Sequence, residues 1–335
     1  MAIVFRWDLD KTYLKTEFSR VQDLIRTFFQ KAEDKEVFAG ATTLIHALDA
    51  IPESKTTFIS GSPRPMRKVL KKKLELDGIH VDALVLKPNF SNFLRGRFRA
   101  LKEQVGYKLP ALLEQRLKIS SAHTEICFGD DAEVDAFIYS LYGDVVAGKI
   151  EPQRLKRLMQ KVGAYEDQID HALELYVPLR QRQEEKNPVE RIFIHLEGRS
   201  GPQRYAAYGV RVVPIYNYFQ AGLMLYSMQH LHMDDLLKLT QTVLAHPRLN
   251  EKRLANSAQD LVRRHHLALN VIDECLQGAR TLGDKELVEC FERASRRTRE
   301  LDKEELQKAP DEVQTIDYEK ILEMRLLGRR HSKDR

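Results

Sequence analysis

AIVFRWDLDKT, residues 2–12, opens as a compact apolar run and ends on two carboxylates, Asp8 and Asp10, set two positions apart before Thr12. The run reads as a first β-strand, and the carboxylates fall where that strand ends and its loop begins. In an open α/β sheet, ligands bind outside the carboxyl ends of the strands, so a nucleophilic carboxylate belongs there. An Asp-x-Asp pair also caps ordinary turns, and it gains meaning only from the rest of the chain. Further along, TTFIS (56–60), VDALVLK (81–87), TEICFGD (124–130), RIFIHLE (191–197) and VRVVPIY (210–216) read as strands. Helices are expected between them at 19–31 behind Ser19 as N-cap, over 65–76, at 109–118, from 132 to 148, at 151–162, at 164–184 and over 217–232. Strands alternating with helices predict an α/β fold with a doubly wound parallel sheet. This domain spans residues 1–232, with the helices of 150–188 as an insertion, and residues 233–335 form a C-terminal helical subdomain. Within that subdomain, 254–279 reads as one helical stretch.

The chain has 335 residues, 43% of them hydrophobic and 31% charged, which gives a sizeable core under a soluble surface and excludes wholesale disorder. No apolar run approaches the ~20 residues of a membrane span. Arg6, Asp8 and Asp10 stand where a signal peptide needs its apolar stretch. Cys127, Cys275 and Cys290 are isolated and form no paired motif, so the expected location is a reducing, cytoplasmic one. The net charge of +5 is unevenly spread, because residues 61–102 carry eleven lysines and arginines against Glu75, Asp77 and Asp82. Such a face suits an anionic partner, whether phosphate, lipid surface or nucleic acid; its bland reading is a solvated helix face.

Other polar residues fall at the ends of other expected strands. Ser60 ends the second and is followed by Gly61 and Ser62, whose loop amides suit a phosphate. Asp130 ends the fourth, with Asp131 beside it and Asp135 five positions on. Lys108 lies between, just before the helix of 109–118, and Lys102 is its nearby alternative. An acidic pair, a hydroxyl, a lysine and an acidic cluster thus arrive in order, which is far more specific than any one of them.

These four pieces, DLDKT (8–12), FISGS (58–62), Lys108 and FGDDAEVD (128–135), resemble the four motifs of the haloacid dehalogenase (HAD) phosphohydrolase superfamily. Within it, FISGSPRPMRKVL and the LKPN beyond it resemble the phosphatidate phosphatases of the actin-patch-protein type. The similarity covers roughly residues 1–145 and leaves out the insertion and the C-terminal helices. It implies a HAD-like sheet and a Mg²⁺-dependent phosphohydrolase acting through a phosphoaspartyl intermediate. Asp8 would be the nucleophile and Asp10 the general acid and base. Asp8, the Asp10 main-chain carbonyl and Asp130 would hold Mg²⁺, with Asp131 or Asp135 as outer-shell or alternative ligands. Ser60 and Lys108 would stabilise the phosphoryl oxygens, while Thr12, Gly61 and Ser62 complete the substrate loop.

The histidine pairs His230–His232 and His265–His266 have the wrong spacing for two ligands on one helix face and read as ordinary residues. Tyr205, Tyr208, Tyr216, Tyr218 and Phe219 read as packing aromatics. No large cap fills residues 13–55 or 87–107, so the site is expected to be open to a phosphate carried on something large. Arg95, Arg97 and Arg99, interleaved with Phe93 and Phe98, suit an anionic lipid or nucleic acid. Phosphatidate is the substrate that the resemblance implies. The alternatives are a small phosphate ester selected by the helices of 150–188, a nucleic-acid end, or a non-catalytic protein that binds partners or itself through its C-terminal helices.

Overall fold

A computed structural model describes residues 2–15, 31–87, 101–132, 134–197, 200–301 and 315–331. The expected strands form one sheet in which every pairing is parallel. They are β1 (Ile3–Trp7), β2 (Lys55–Pro63), β3 (Ala83–Lys87), β4 (Thr124–Asp130), β5 (Val189–His195) and β6 (Val212–Ile215), in the order β3-β2-β1-β4-β5-β6. The chain builds outward from β1 through β2 to β3, then returns to the other side of β1 to lay down β4, β5 and β6. The crevice between the carboxyl ends of β1 and β4 is therefore the switch point of the sheet, where such folds bind ligands.

Alternate residues of each strand feed two separate cores, as a parallel sheet buried on both faces requires. Phe5, Trp7, Phe58, Phe128, Phe193 and Ile215 face one layer. That layer contains α1 (Ala41–Asp49), α2 (Arg67–Leu76), α7 (Tyr218–Ser227), α8 (Met233–Leu244), α9 (Glu251–Arg263), α10 (Leu269–Leu282) and α11 (Lys285–Arg299). Ile59, Cys127, Ile192 and Ile194 face the other. There lie α3 (Leu101–Leu117), α4 (Asp135–Val146), α5 (Pro152–Lys161), α6 (Glu166–Gln181) and α12 (Tyr318–His331). The helices of 150–188 pack on α3 and α4 in this second layer. No described helix is long and apolar enough to cross a membrane.

Several boundaries differ from the sequence reading, and for four of them the structure gives a local reason. β2 does not stop at Ser60 but continues to Pro63, because a register shift between Ser60 and Pro63 absorbs the turn residues into the pairing with β3. α3 begins at Leu101 rather than 109, with Pro110 inside it. Proline reads as a helix start because it lacks an N–H, and here that missing donor simply leaves the carbonyl four residues back without its usual bond. The stretch 254–279 is two helices, broken where His265 takes φ 60°. α7 ends at Ser227, just before Gln229 at φ 63°. The helix expected at 19–31 and the arginines at 95–99 lie outside the described residues.

Candidate active site

β1 and β4 run side by side with Trp7 opposite Phe128, and the Asp8 amide donates to the Phe128 carbonyl at 2.8 Å. The two rings stack at 3.7 Å, which makes a rigid floor beneath the loops at the strand ends. Asp8 leaves β1 and Asp130 ends β4, so both carboxylates enter one crevice. Asp135 joins them from the first turn of α4, where an acid is favoured by the helix dipole, and its Oδ2 accepts from the Asp130 amide at 3.2 Å. This approach needs glycine at 129, since a Cβ there would lie 2.4 Å from that of Asp135. One oxygen each of Asp8, Asp130 and Asp135 lies within 4.8 Å of the others, and all three residues are buried.

Lys108 reaches this group from the middle of α3. Its Nζ donates to Asp8 Oδ1 at 2.7 Å and to Asp135 Oδ1 at 2.6 Å, with only 1% of the side chain exposed. The structure thus brings Lys108 to the crevice, while the side chain of Lys102 lies outside the described residues. Three buried carboxylates, two of them against the Lys108 ammonium, gather hard oxygen donors that suit a metal ion. Asp131, beside this group, has its Oδ2 accepting from the Ser200 amide at 2.9 Å.

Asp10 faces the loop after β2. Ser60 and Ser62 both donate to its Oδ2, at 3.1 and 2.6 Å, and the Ser62 amide donates to Ser60 Oγ at 2.9 Å. These two hydroxyls therefore orient a carboxyl group, a role that the sequence alone does not assign them. Gly61 has open space where a Cβ would be. Thr12 Oγ1 lies 3.5 Å from Asp8 Oδ2. The turn between is sharp, with Lys11 at φ 62° and its amide bonded to the Leu14 carbonyl at 2.8 Å. A non-glycine residue in this region stores strain of the kind found at functional loops.

Three contributors carry no signal in the sequence. His195, at the end of β5, has Nδ1 3.3 Å from the Lys11 carbonyl, and Tyr218 donates to the Thr12 carbonyl at 2.6 Å. The two rings stack at 5.5 Å, so together they hold consecutive carbonyls of the Asp8–Thr12 loop. Burial pushes the His195 imidazole below the usual histidine range, against the pull of the Lys11 carbonyl and Asp131, so the ring is neutral at pH 7. Burial likewise lowers the Lys35 ammonium, with Asp10 pulling it up and Lys73 pushing it down. Lys35 sits among charged neighbours in the sequence, where nothing in the pattern marks it.

Residues 7–152 match the family model described as phosphatidate phosphatase APP1, catalytic domain. The matched stretch takes in Asp8, Asp10, Ser60, Lys108, Asp130 and Asp135, and this part of the chain is a phosphatase catalytic domain, a phosphoric monoester hydrolase. The match covers less than half of the 335 residues. No curated protein sequence and no solved structure matches the chain.

Proposed function

We propose that this phosphatase domain hydrolyses the phosphate monoester of a phosphatidate-type lipid, with Mg²⁺ as cofactor and an aspartyl phosphate on Asp8 as intermediate, in the manner of the HAD superfamily. The observation that supports the reading is the buried group of Asp8, Asp130 and Asp135 at the switch point of the sheet, with Lys108 against Asp8 and Asp135. Asp8, Asp130 and Asp135, with the Asp10 main-chain carbonyl, are the groups that would hold Mg²⁺. Bound there, the cation supplies the positive charge that lets a dianionic phosphate approach a carboxylate nucleophile.

In the first step an Asp8 oxygen attacks phosphorus in line with the ester oxygen. The phosphorus–ester bond breaks as the Asp10 carboxyl gives its proton to the departing alcohol oxygen. Ser60 and Ser62 fix the plane of Asp10 by donating to one of its oxygens. The Lys108 ammonium, already against Asp8 Oδ1, lies where charge builds on the phosphoryl oxygens. In the second step Asp10 takes a proton from water, the water oxygen attacks the aspartyl phosphate, and the Asp8 carboxylate departs with inorganic phosphate released. His195 and Tyr218 keep the main chain of this loop still through both steps.

The test is phosphate release from an aryl phosphate and from dispersed phosphatidate, with Mg²⁺ and with EDTA, for the wild type and Asp8→Asn. Turnover by the wild type should require Mg²⁺, and Asp8→Asn should fall to background on both substrates. Metal-independent turnover, or equal rates in Asp8→Asn, would remove the phosphoaspartyl assignment. Turnover of the aryl phosphate without phosphatidate would leave the chemistry and reject the lipid.

A further inference from the structure

The stretch RPMRKVLKKKLEL (64–76) links the Ser60–Ser62 loop to the outer surface of the molecule. Met66, Leu70, Lys73 and Leu74 are buried, and Lys73 turns inward to pair with Asp77 at 2.8 Å. Arg64, Arg67, Lys68, Lys71 and Lys72 are exposed, against Glu75 as the exposed acid of the stretch. Glu75 pairs with Lys71 at 3.8 Å. Arg67 is held by the Leu84 carbonyl at 2.7 Å, which anchors the near end of this face beside β3.

Two observations set the face apart from an ordinary solvated helix. The first turn of α2 contains Arg67 and Lys68 and no acidic residue, although cations at a helix N-terminus are unfavourable. A local rule broken in this way marks a position kept for something other than helix stability. The face also begins at the catalytic crevice. Ser62, two residues before Arg64, donates to Asp10, and Tyr107, beside Lys108, feels the charges of Lys108, Arg64, Asp8 and Arg67 together.

We propose that the exposed face of Arg64 and α2 docks on an anionic lipid bilayer, so that the crevice opens toward the membrane surface. This rests on the lipid-phosphatase reading above and names how its substrate is reached. The contact is electrostatic rather than inserted, because the apolar side of α2 lies in the core. A bilayer suits the face better than single-stranded nucleic acid, since no aromatic ring is present among residues 64–76 to stack on a base, and the lipid-phosphatase reading favours it over a duplex. At its far end Leu76, 48% exposed, adds an apolar contact at headgroup level.

The experiment is flotation with vesicles of phosphatidylcholine alone and with phosphatidylserine, using the wild type, Asp8→Asn and the triple variant Lys68→Gln, Lys71→Gln, Lys72→Gln. Each lysine at an anionic surface raises partitioning about five-fold, so the triple variant should lose about a hundredfold on phosphatidylserine vesicles. Asp8→Asn should bind as the wild type does, and added salt should weaken both. Turnover of a soluble aryl phosphate should be unchanged in the triple variant, which also shows that it is folded. Equal vesicle binding by wild type and triple variant overturns the proposal, as does no wild-type binding. Tighter wild-type binding to duplex DNA than to the anionic vesicles would reassign the face to nucleic acid. Vesicle binding is read without turnover, so loss of the phosphatase reading leaves this result standing, and the reverse holds too.

Discussion

His195 and Tyr218 act on the catalytic loop without carrying any of its charge. They hold consecutive main-chain carbonyls, of Lys11 and Thr12 respectively, and Lys11 has φ 62°. Loss of one such bond, worth about 1 kcal/mol, frees a strained loop to move Asp8 and Asp10 relative to each other. Tyr218→Phe and His195→Ala should each lower kcat on an aryl phosphate about five- to ten-fold with little change in KM. His195→Asn, which offers an amide N–H near the position of Nδ1, should recover most of the loss. An effect on KM alone, or no rescue by asparagine, would show that the rings only fill space. Residues of this kind escape a sequence reading because their partners are main-chain carbonyls, which every residue has. Asp8, Asp10 and Asp130 are legible because their charges fall at strand ends, and Lys108 because it takes its place in the order of the motifs, although it stands in the middle of α3. Asp131 and Asp135 cannot be ranked from sequence, since their difference lies in where α4 begins and in the missing Cβ of Gly129.

At the scale of elements, β1, β4 and α3 are joined below the site by a buried ionic network. Glu125 of β4 accepts from Arg6 of β1, from Arg116 of α3 at 2.9 Å and from Tyr142 of α4 at 2.8 Å. Arg116 also pairs with Glu184 at 2.6 Å. Burial alone would raise the Glu125 pKa, but Arg6 and Arg116 outweigh it and hold the carboxyl below the usual range. A carboxylate lowered in this way stabilises the fold fully above its unfolded value of about 4.3, and that stability is lost as pH falls through the lower folded value. Glu125→Gln should therefore lose about 3 kcal/mol or more at pH 7, because two buried guanidinium groups lose their shared anion. The difference in urea midpoint between wild type and variant should shrink as pH falls below about 4; a constant difference would show that the charge of Glu125 is immaterial. The six strands and their parallel arrangement can be read from apolar runs alone. Helix limits cannot, because α3 passes through Pro110 and the break after α9 depends on one backbone angle at His265.

At the scale of the molecule, the phosphatase family match ends at residue 152, before β5 and β6 are made. β5 pairs with β4 from Glu125 to Asp130, so a fragment ending there would leave β4 as an open edge and would lack both His195 and Tyr218. The C-terminal helices are tied to the same layer. Leu236, Val243, Leu254, Leu261 and Phe291 share one apolar cluster with Trp7, Phe58 and Phe193. α8 presses on the turn before α1 so closely that a Cβ on Gly40, at φ 83°, would lie 2.6 Å from Val243. Asn217, which caps the helix carrying Tyr218, donates to Ser257 of α9 at 2.8 Å. Each of those five side chains is worth about 2 kcal/mol on burial, and their sum is of the order of a whole domain's net stability. A fragment of residues 1–232 should consequently lose cooperative thermal unfolding and phosphatase activity together, whereas the full chain should melt as one unit through the sheet and these helices. Circular dichroism melts of both, with aryl phosphate turnover, decide the matter. An active, cooperatively melting fragment would make residues 233–335 a separable subdomain. Its failure would mean that the catalytic loop is held in place from beyond the matched domain, through α7 and the helices that pack on it.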